Sequence, residues 1–262
     1  MSATLHTAVQ ATRSAAKLIL TGLDRIDSVR ITEKRKHDFV TSVDKAVEHE
    51  MIETLQQAYP SHQFLSEERF AHTKLNDKDD FWIIDPIDGT TNFIYGIPHF
   101  AISVAFMSKG RLECAVVYDP VKDEMFTAIR GAGARLNQRR IRVSPRTNIN
   151  GALIATGTPG HDSVRQNSYV RSLQALLPEV GSFRRSGSAA LDLAYVAAGR
   201  FDGFIDVDLY TWDVAAGHLL VKEAGGHIKD FSGRSGLFIT ESLIAGNNTM
   251  FDALQPIMTS VS

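Results

Sequence analysis

Two aspartates three positions apart are the part of this sequence best suited to chemistry. An apolar run over residues 82–84 leads into Asp85 and Asp88, and Gly89-Thr90 follows directly. Carboxylate oxygens bind hard cations such as Mg²⁺, and free backbone N–H groups at a helix start bind phosphate. A strand ending in such a turn suits phosphoryl transfer to water. The alternative is a structural turn in which Asp88 bonds its own backbone.

Other acidic residues stand at the ends of predicted elements far away in the sequence: Asp44, Glu67, Glu68 and Asp213. Clustered carboxylates repel one another unless cations neutralise them, so their convergence would imply metal, and more than one ion. Each residue alone could instead be a helix cap or a solvated charge. For Asp213 the cap is favoured, because aspartate stabilises the first turn of a helix. Composition and spacing do not decide between these alternatives.

The composition describes a chain with a substantial core and little net charge. Hydrophobic residues make up 44% of the 262 positions, and the formal net charge is −2, so strong electrostatic attraction to nucleic acid or membrane is not expected. The single cysteine excludes a disulfide within the chain, which fits a reducing cytosol. The sequence contains neither a signal peptide nor an apolar run of the ~20 residues that span a bilayer. We therefore expect a cytoplasmic protein with no membrane partner.

The periodicity of apolar residues predicts the elements that must position the acidic groups. Helices are expected over residues 5–23, 42–59, about 164–177, 188–198, 212–224 and 249–258. Strands are expected over residues 64–65, 82–85, 101–107, 113–118, 124–129, 152–156, 204–207 and 242–245. The first sheet should be mostly antiparallel, because its connections are too short for helical crossovers. We expect one domain over residues 1–262, in which two sub-lobes of about 1–148 and 149–262 are fused into layers of helix and sheet.

Two basic segments are interpreted as solvated surface. Residues 25–37 read as a loop or irregular hairpin; within them Lys34 could gather anionic substrate, but a solvated loop is favoured. The arginines at positions 135, 139, 140, 142 and 146 have no interleaved aromatic residue. A solvated hairpin is therefore favoured there over a nucleic-acid patch.

Three motifs, in matching order and at matching intervals, resemble the signature set of the inositol monophosphatase family: Glu67-Glu68, residues 82–93 and residues 212–217. The similarity runs nearly end to end, from residues 38–44 to residues 244–247. Residues 185–194 are especially similar to the bacterial SuhB-type members. The resemblance implies a layered α-β-α-β-α sandwich, in the α/β (α+β) class, that usually forms a homodimer.

The resemblance also implies a role for each acidic residue. Glu67, Asp85 and the carbonyl of Ile87 would hold a first Mg²⁺. Asp85, Asp88 and Asp213 would hold a second, and Glu67 would assist a third, weaker ion through water. Lithium inhibition is implied as well, since Li⁺ can occupy a family metal site.

The implied catalytic groups are Asp44, Thr90 and Glu67. Gly89 and Thr90 would offer backbone N–H groups to the phosphate, and Thr90, oriented by Asp44, would position the attacking water. The positions that would contact substrate are Gly89, Thr90, Gly187, Ser188, Ala189, Asp206 and Asp213. Asp206 stands where many family members have glutamate, and its shorter side chain would hold a polyol hydroxyl less directly.

The implied activity is hydrolysis of inositol monophosphate by direct in-line attack of water, with two or three Mg²⁺ ions per site. Two alternatives remain open. The same metal chemistry could act on fructose 1,6-bisphosphate, a nucleotide 3′-phosphate or histidinol phosphate, because the substrate pocket is built mostly outside the shared motifs. Some SuhB-type relatives are instead partners of the transcription machinery, and an association with RNA polymerase or nucleic acid is the second alternative.

Overall fold

The computed structural model describes residues 2–35, 38–69, 79–159, 163–236 and 242–261. The helices are α1 (Ala3–Leu23), α2 (Ser42–Ala58), α3 (Thr90–Ile94), α4 (Ser163–Leu176), α5 (Ala189–Ala197), α6 (Thr211–Glu223) and α7 (Asn248–Val261), with a 3₁₀ turn at Ile26–Ser28. The strands of the first half are β1 (Ile31–Arg35), β2 (Asp38–Thr41), β3 (Gln63–Ser66), β4 (Phe81–Asp88), β5 (Ala101–Ser108), β6 (Arg111–Asp119), β7 (Glu124–Ile129), β8 (Gly133–Leu136) and β9 (Arg139–Arg140). Those of the second half are β10 (Leu153–Thr156), β11 (Ser182–Arg184), β12 (Gly203–Val207), β13 (His227–Lys229) and β14 (Ser242–Gly246).

Two large sheets organise these elements. Strands β3 to β9 form a seven-stranded sheet in sequence order, and a five-stranded sheet has the order β11-β10-β12-β14-β13. The first sheet is antiparallel except for the parallel pair β3–β4, as its short connections predict. Strands β1 and β2 form a separate antiparallel hairpin, so the segment interpreted as a loop or irregular hairpin is largely a hairpin.

Helices lie on both sides of each sheet. Helices α1 and α2 pack together on one face of the seven-stranded sheet, α5 and α6 lie between the two sheets, and α7 covers the five-stranded sheet with α4 beside it. Successive residues of β4 serve the two faces of the sheet, because strand side chains alternate. Phe81 and Ile83 join the core around α5 and α6, whereas Trp82 and Ile84 join the core under α1 and α2. The α-β-α-β-α layering implied by the resemblance is thus confirmed.

The short strands β11 and β13 were not predicted. Each has three residues, and each pairs at an edge of the five-stranded sheet. Strands this short carry too few residues for an alternating pattern. None of the described helices has the length and apolar composition needed to cross a membrane.

Candidate active site

The carboxylates of β4 project from a distorted strand end. Asp85 pairs with Ser103 of β5 and Asp88 pairs with Ala101, so β4 has one residue more than its partner between these pairs. Such a bulge re-aims side chains at the end of a strand. The Asp85 Oδ1 atom accepts a hydrogen bond from the Ile87 N–H at 3.0 Å, which fixes this carboxylate within the turn.

Asp213 approaches the same point from the first turn of α6. Its Oδ2 atom accepts a hydrogen bond from the Tyr210 N–H at 2.7 Å, so it caps the helix as its position suggested. One oxygen each from Asp85, Asp88 and Asp213 nevertheless lies within 4.8 Å of the other two. The cap and the cluster are therefore both correct interpretations of Asp213.

Asp88 does not bond its own turn but reaches the other half of the chain. Its Oδ2 atom accepts a hydrogen bond from the Ser188 hydroxyl at 2.5 Å and another from the Ala190 N–H at 2.7 Å. The Ala189 N–H also donates to this carboxylate. Asp88 thus caps α5 and brings Ser188 and Ala189, two predicted substrate contacts, to the edge of the site.

The turn after β4 opens α3 with a glycine in the left-handed region. Gly89 has φ of +100°, and a Cβ there would lie 3.0 Å from the Gly187 carbonyl oxygen. Both the backbone conformation and the close approach of the two backbone segments, at Gly89 and Gly187, require glycine. The first N–H groups of α3 have no partner within the helix, which suits them to an anion.

A hydroxyl and a buried carboxylate lie beside this turn. Thr90 Oγ1 is 3.0 Å from Asp44 Oδ1 and 3.0 Å from the Ile87 carbonyl oxygen, and its one hydrogen can be donated to only one of them at a time. Asp44 also accepts hydrogen bonds from the Thr41 N–H at 2.8 Å and the Thr41 hydroxyl at 2.5 Å, at the start of α2. Burial raises the pKa of Asp44 despite these hydrogen bonds, so the pair could hold or pass on a proton.

Glu67 lies at the end of β3 and is paired with a lysine. Lys34 Nζ is 2.9 Å from Glu67 Oε1 and also bonds Glu68. Lys34 is exposed, as expected, but it lies on a strand of the β1–β2 hairpin rather than in a loop, and its ion pairs with the acidic residues were not predicted. Burial raises the pKa of Glu67 to about 7, although Lys34 acts in the opposite direction. Glu67 stands outside the tight cluster of three but near enough to Asp85 to raise its pKa.

The cluster is held under electrostatic strain. Burial and the neighbouring carboxylates raise the pKa of Asp85 and of Asp213 well above the ordinary value. Burial raises the pKa of Asp88 to about 6, despite its hydrogen bonds to α5. Like charges in one buried place are stable only if protons or cations neutralise them. The donor set consists entirely of oxygen, which fits a hard divalent cation such as Mg²⁺.

Asp206 lies on β12, close enough to Asp88 and Asp213 for their charges to interact. Burial raises its pKa to about 7, and its Oδ1 atom accepts a hydrogen bond from the Val207 N–H at 2.8 Å. Its carboxylate lies against Gly157, where a Cβ would stand 2.1 Å from Asp206 Oδ2. Gly157 was not predicted from the sequence, because no local pattern gives a signal for it.

Asn92 is a second residue whose role was not predicted from the sequence. Its Nδ2 atom donates to the His99 carbonyl at 2.7 Å and to the Ser186 carbonyl at 2.9 Å. A Cβ at Gly187, where φ is +91°, would lie 2.8 Å from the same Nδ2 atom. Asn92 therefore ties the turn after β4 to the turn before α5, and Gly187 leaves room for this link.

This geometry can be compared with known proteins. The model of the inositol monophosphatase family matches residues 1–259. The chain belongs to this family. A Nus factor SuhB from Pseudomonas aeruginosa is 48% identical over 257 residues, which cover 97% of this chain and 95% of that protein.

Solved structures agree with the family assignment. The extragenic suppressor protein suhB from Bartonella henselae superimposes with a TM-score of 0.92 at 39% identity and covers 98% of both chains. An inositol monophosphatase from Anabaena superimposes with a TM-score of 0.84 at 31% identity, covering 98% of this chain and 95% of its own. This family member thus resembles both a protein named a Nus factor and a protein named an inositol monophosphatase.

Proposed function

We propose that this protein is a Mg²⁺-dependent phosphomonoesterase that hydrolyses inositol monophosphate to inositol and phosphate. The observation that carries the proposal is the convergence of Asp85, Asp88 and Asp213 within 4.8 Å, beside the anion-accepting turn at Gly89 and Thr90. A carboxylate cluster and a helix start at one point provide for a cation and a phosphate together.

Two sets of residues would hold the cations. Glu67, Asp85 and the Ile87 carbonyl form one set, and Asp85, Asp88 and Asp213 form the other. When bound, Mg²⁺ would offset the charge that develops on the phosphate and leaving-group oxygens and would lower the pKa of water. A third ion near Glu67 would compete with Lys34 for the same Oε1 atom.

The chain's own groups would orient the reactants. The Gly89 and Thr90 N–H groups would bind phosphate oxygens, and the Thr90 hydroxyl would position the attacking water. Asp44, held by Thr41 and bonded to Thr90 Oγ1 at 3.0 Å, would fix the hydroxyl and share its proton. No described residue needs to form a covalent phosphoenzyme, so the water attacks in line.

The alcohol part of the substrate would lie against the second half of the chain. Gly187, Ser188 and Ala189 line one side and Asp206 another. Asp206 already engages the Val207 N–H, so the carboxylate is oriented in advance for a polyol hydroxyl. Because the Asp206 side chain is short, we expect the protein to accept several small phosphorylated polyols. We further propose that the protein works in the cytoplasm as a homodimer.

The test is phosphate release with and without Mg²⁺ from inositol 1-phosphate, glycerol 2-phosphate, fructose 1,6-bisphosphate, histidinol phosphate, 2′-AMP and adenosine 3′,5′-bisphosphate. Asp88→Asn is the inactive variant, and Asp252→Asn, an exposed aspartate on α7, is its charge-matched control. We expect turnover that depends on Mg²⁺, is highest for inositol 1-phosphate and is lost only in Asp88→Asn. Faster turnover of another phosphate than of inositol 1-phosphate would change the proposed substrate. Turnover retained in Asp88→Asn would refute the proposed site.

A second function is favoured by one specific comparison. The relative from Pseudomonas aeruginosa, 48% identical over nearly the whole chain, is named a Nus factor. We propose that this protein also associates with the transcription machinery, independently of catalysis. Capture of RNA polymerase or its elongation factors by wild type and by Asp88→Asn alike would support this role. Absence of capture by wild type would rule it out.

A further inference from the structure

A groove of about 720 Å³ lies between α1 and the β7–β8 side of the seven-stranded sheet. Helix α1 packs on β5 and β6, and the groove opens beside it over the following strands. In the sheet β7 is three strands from β4, about 14 Å at the usual strand spacing. The groove therefore belongs to a different part of the molecule from the carboxylate cluster.

The walls of the groove are apolar at two faces. Leu5 and Val9 are four residues apart on α1 and so lie on one side of that helix, while Met125 and Ile129 lie on one face of β7, where side chains alternate. All four line the groove, where Val9 and Ile129 are partly exposed and Leu5 and Met125 are nearly buried behind them. Its volume is within the range of about 300–1,000 Å³ of small-molecule pockets.

The open side of the groove is basic. Arg13 continues the α1 stripe, and Arg135 stands opposite Thr127 on the neighbouring strand β8. Arg140 pairs with Arg135 in register, and its Nη2 atom is 3.1 Å from where a Cβ of Gly133 would stand. Two guanidinium groups, those of Arg13 on α1 and Arg135 on β8, thus line the cavity, and Arg140 on β9 lies next to Arg135.

These charges are not consumed by ion pairs. Within the described part of the chain, none of the three arginines lies within 4.0 Å of a carboxylate oxygen. One acidic residue, Asp123, lines the groove, and its Oδ1 atom accepts a hydrogen bond from the Tyr118 hydroxyl at 2.8 Å. Two positive groups against one negative group leave an excess of positive charge in the lining of the groove.

We propose that this groove binds a small amphipathic anion, with its carboxylate or phosphate head between Arg13 and Arg135 and its apolar body against α1 and β7. The guanidinium group matches such oxygens in a two-pronged fashion. The apolar walls would not stabilise a bare inorganic ion, which has no apolar surface to bury. They would stabilise a ligand whose hydrocarbon or aromatic body is removed from water on binding. The site is independent of the proposed catalysis.

The test uses 8-anilinonaphthalene-1-sulfonate, an aromatic anion whose fluorescence rises in apolar surroundings. The variant is Arg13→Met combined with Arg135→Met, which keeps an unbranched apolar stem at both positions and removes both charges. Arg139→Met is the matched control, because Arg139 pairs with Leu136 and so projects from the other face of the same hairpin. All three arginines are exposed, so each variant should unfold at the wild-type temperature, and either single variant can replace the double one.

We expect saturable binding to wild type and to Arg139→Met, and about a tenfold or greater loss of affinity in the double variant, since one charge-assisted hydrogen bond accounts for roughly that factor. Octanoate and octylphosphonate should displace the probe, and the stronger of the two identifies the preferred head. Equal affinity in the double variant, an equal loss in Arg139→Met or no saturable binding to wild type would overturn the proposal.

Discussion

The acidic cluster predicts that one carboxylate of the proposed cation site destabilises the protein when no cation is bound. Asp85 is buried beside Asp88 and Asp213, with Glu67 nearby. Substitution by asparagine keeps an oxygen that can accept the Ile87 N–H bond, and it removes the charge. We therefore expect Asp85→Asn to be more stable than wild type in EDTA at pH 8, although it is inactive.

The size of this gain can be worked from the geometry. Two unit charges at 4.8 Å, the upper limit of the oxygen separations in the cluster, repel by about 3.5 kcal/mol at an effective dielectric constant of about 20. Wild type can escape the repulsion by keeping one carboxyl protonated, which at pH 8 costs up to about 5.6 kcal/mol. A gain of about 3 kcal/mol in the free energy of unfolding follows, or about 6–10 °C in Tm for a chain of this size.

The pH dependence gives the sign of the effect. Because the folded pKa of Asp85 is raised, folded wild type holds a proton that the unfolded chain releases above about pH 4. Stability from this group is present at low pH and is lost as pH rises through the folded pKa. The advantage of Asp85→Asn should therefore be small at pH 5 and large at pH 8.

Thermal unfolding at both pH values, in EDTA and in excess Mg²⁺, measures this directly. Mg²⁺ should raise the Tm of wild type at pH 8 and raise that of Asp85→Asn much less. Asp252→Asn, with the same change of charge on the surface of α7, should match wild type throughout. The reasoning would be refuted if Asp85→Asn were no more stable than wild type at pH 8, or if its gain in stability over wild type were as large at pH 5 as at pH 8.

Three further predictions concern the surrounding residues. Thr90→Val should lower kcat by about 10²–10⁴-fold, the range of proton-transfer and positioning groups, with little change in Tm, as steady-state kinetics would show. Gly187→Ala should destabilise the protein by about 1–3 kcal/mol in urea unfolding, because it combines a positive φ with a clash against Asn92. Lys34→Met should lower the Mg²⁺ concentration that gives half-maximal binding by about threefold to tenfold, measured calorimetrically, since the lysine no longer competes for Glu67.

Each has a control. Thr90→Ser keeps the hydroxyl and should recover most of the activity; if it is as slow as Thr90→Val, the hydroxyl is not the active group. Gly131→Ala has a positive φ but nothing within 4 Å, so a loss equal to that of Gly187→Ala would contradict the clash. Lys17→Met, at an exposed position on α1, should leave Mg²⁺ binding unchanged.

The sequence was most informative where local residues indicate both a secondary-structure element and the position at which it ends. The apolar run before Asp85 predicted the strand, and the glycine after Asp88 predicted the turn, because each signal is local. Asp213 could be placed at a helix start but not in a cluster, since the cluster depends on how α6 packs against β4. Convergence of distant acidic residues was expected only through the family resemblance.

The unpredicted features arise from packing between distant segments. Lys34 reaches Glu67 across 33 positions, because a hairpin folds over the site. Gly157 leaves room for the side chain of Asp206. Asn92 donates a hydrogen bond to the carbonyl of Ser186, which lies 94 positions away. No pattern within a window of the sequence encodes such contacts.

The bond between Asp88 and the start of α5 has a consequence for synthesis of the chain. The Ala190 N–H, which donates a hydrogen bond to Asp88, lies 102 positions later in the sequence, and Asp213 follows later still. A ribosome therefore exposes the β4 carboxylates long before their partners exist. Until then the growing polypeptide carries an incomplete acidic end, and the proposed cation set of Asp85, Asp88 and Asp213 can be completed only when translation is nearly finished. Magnesium uptake by a stalled, ribosome-tethered chain would thus report how much of the polypeptide has emerged.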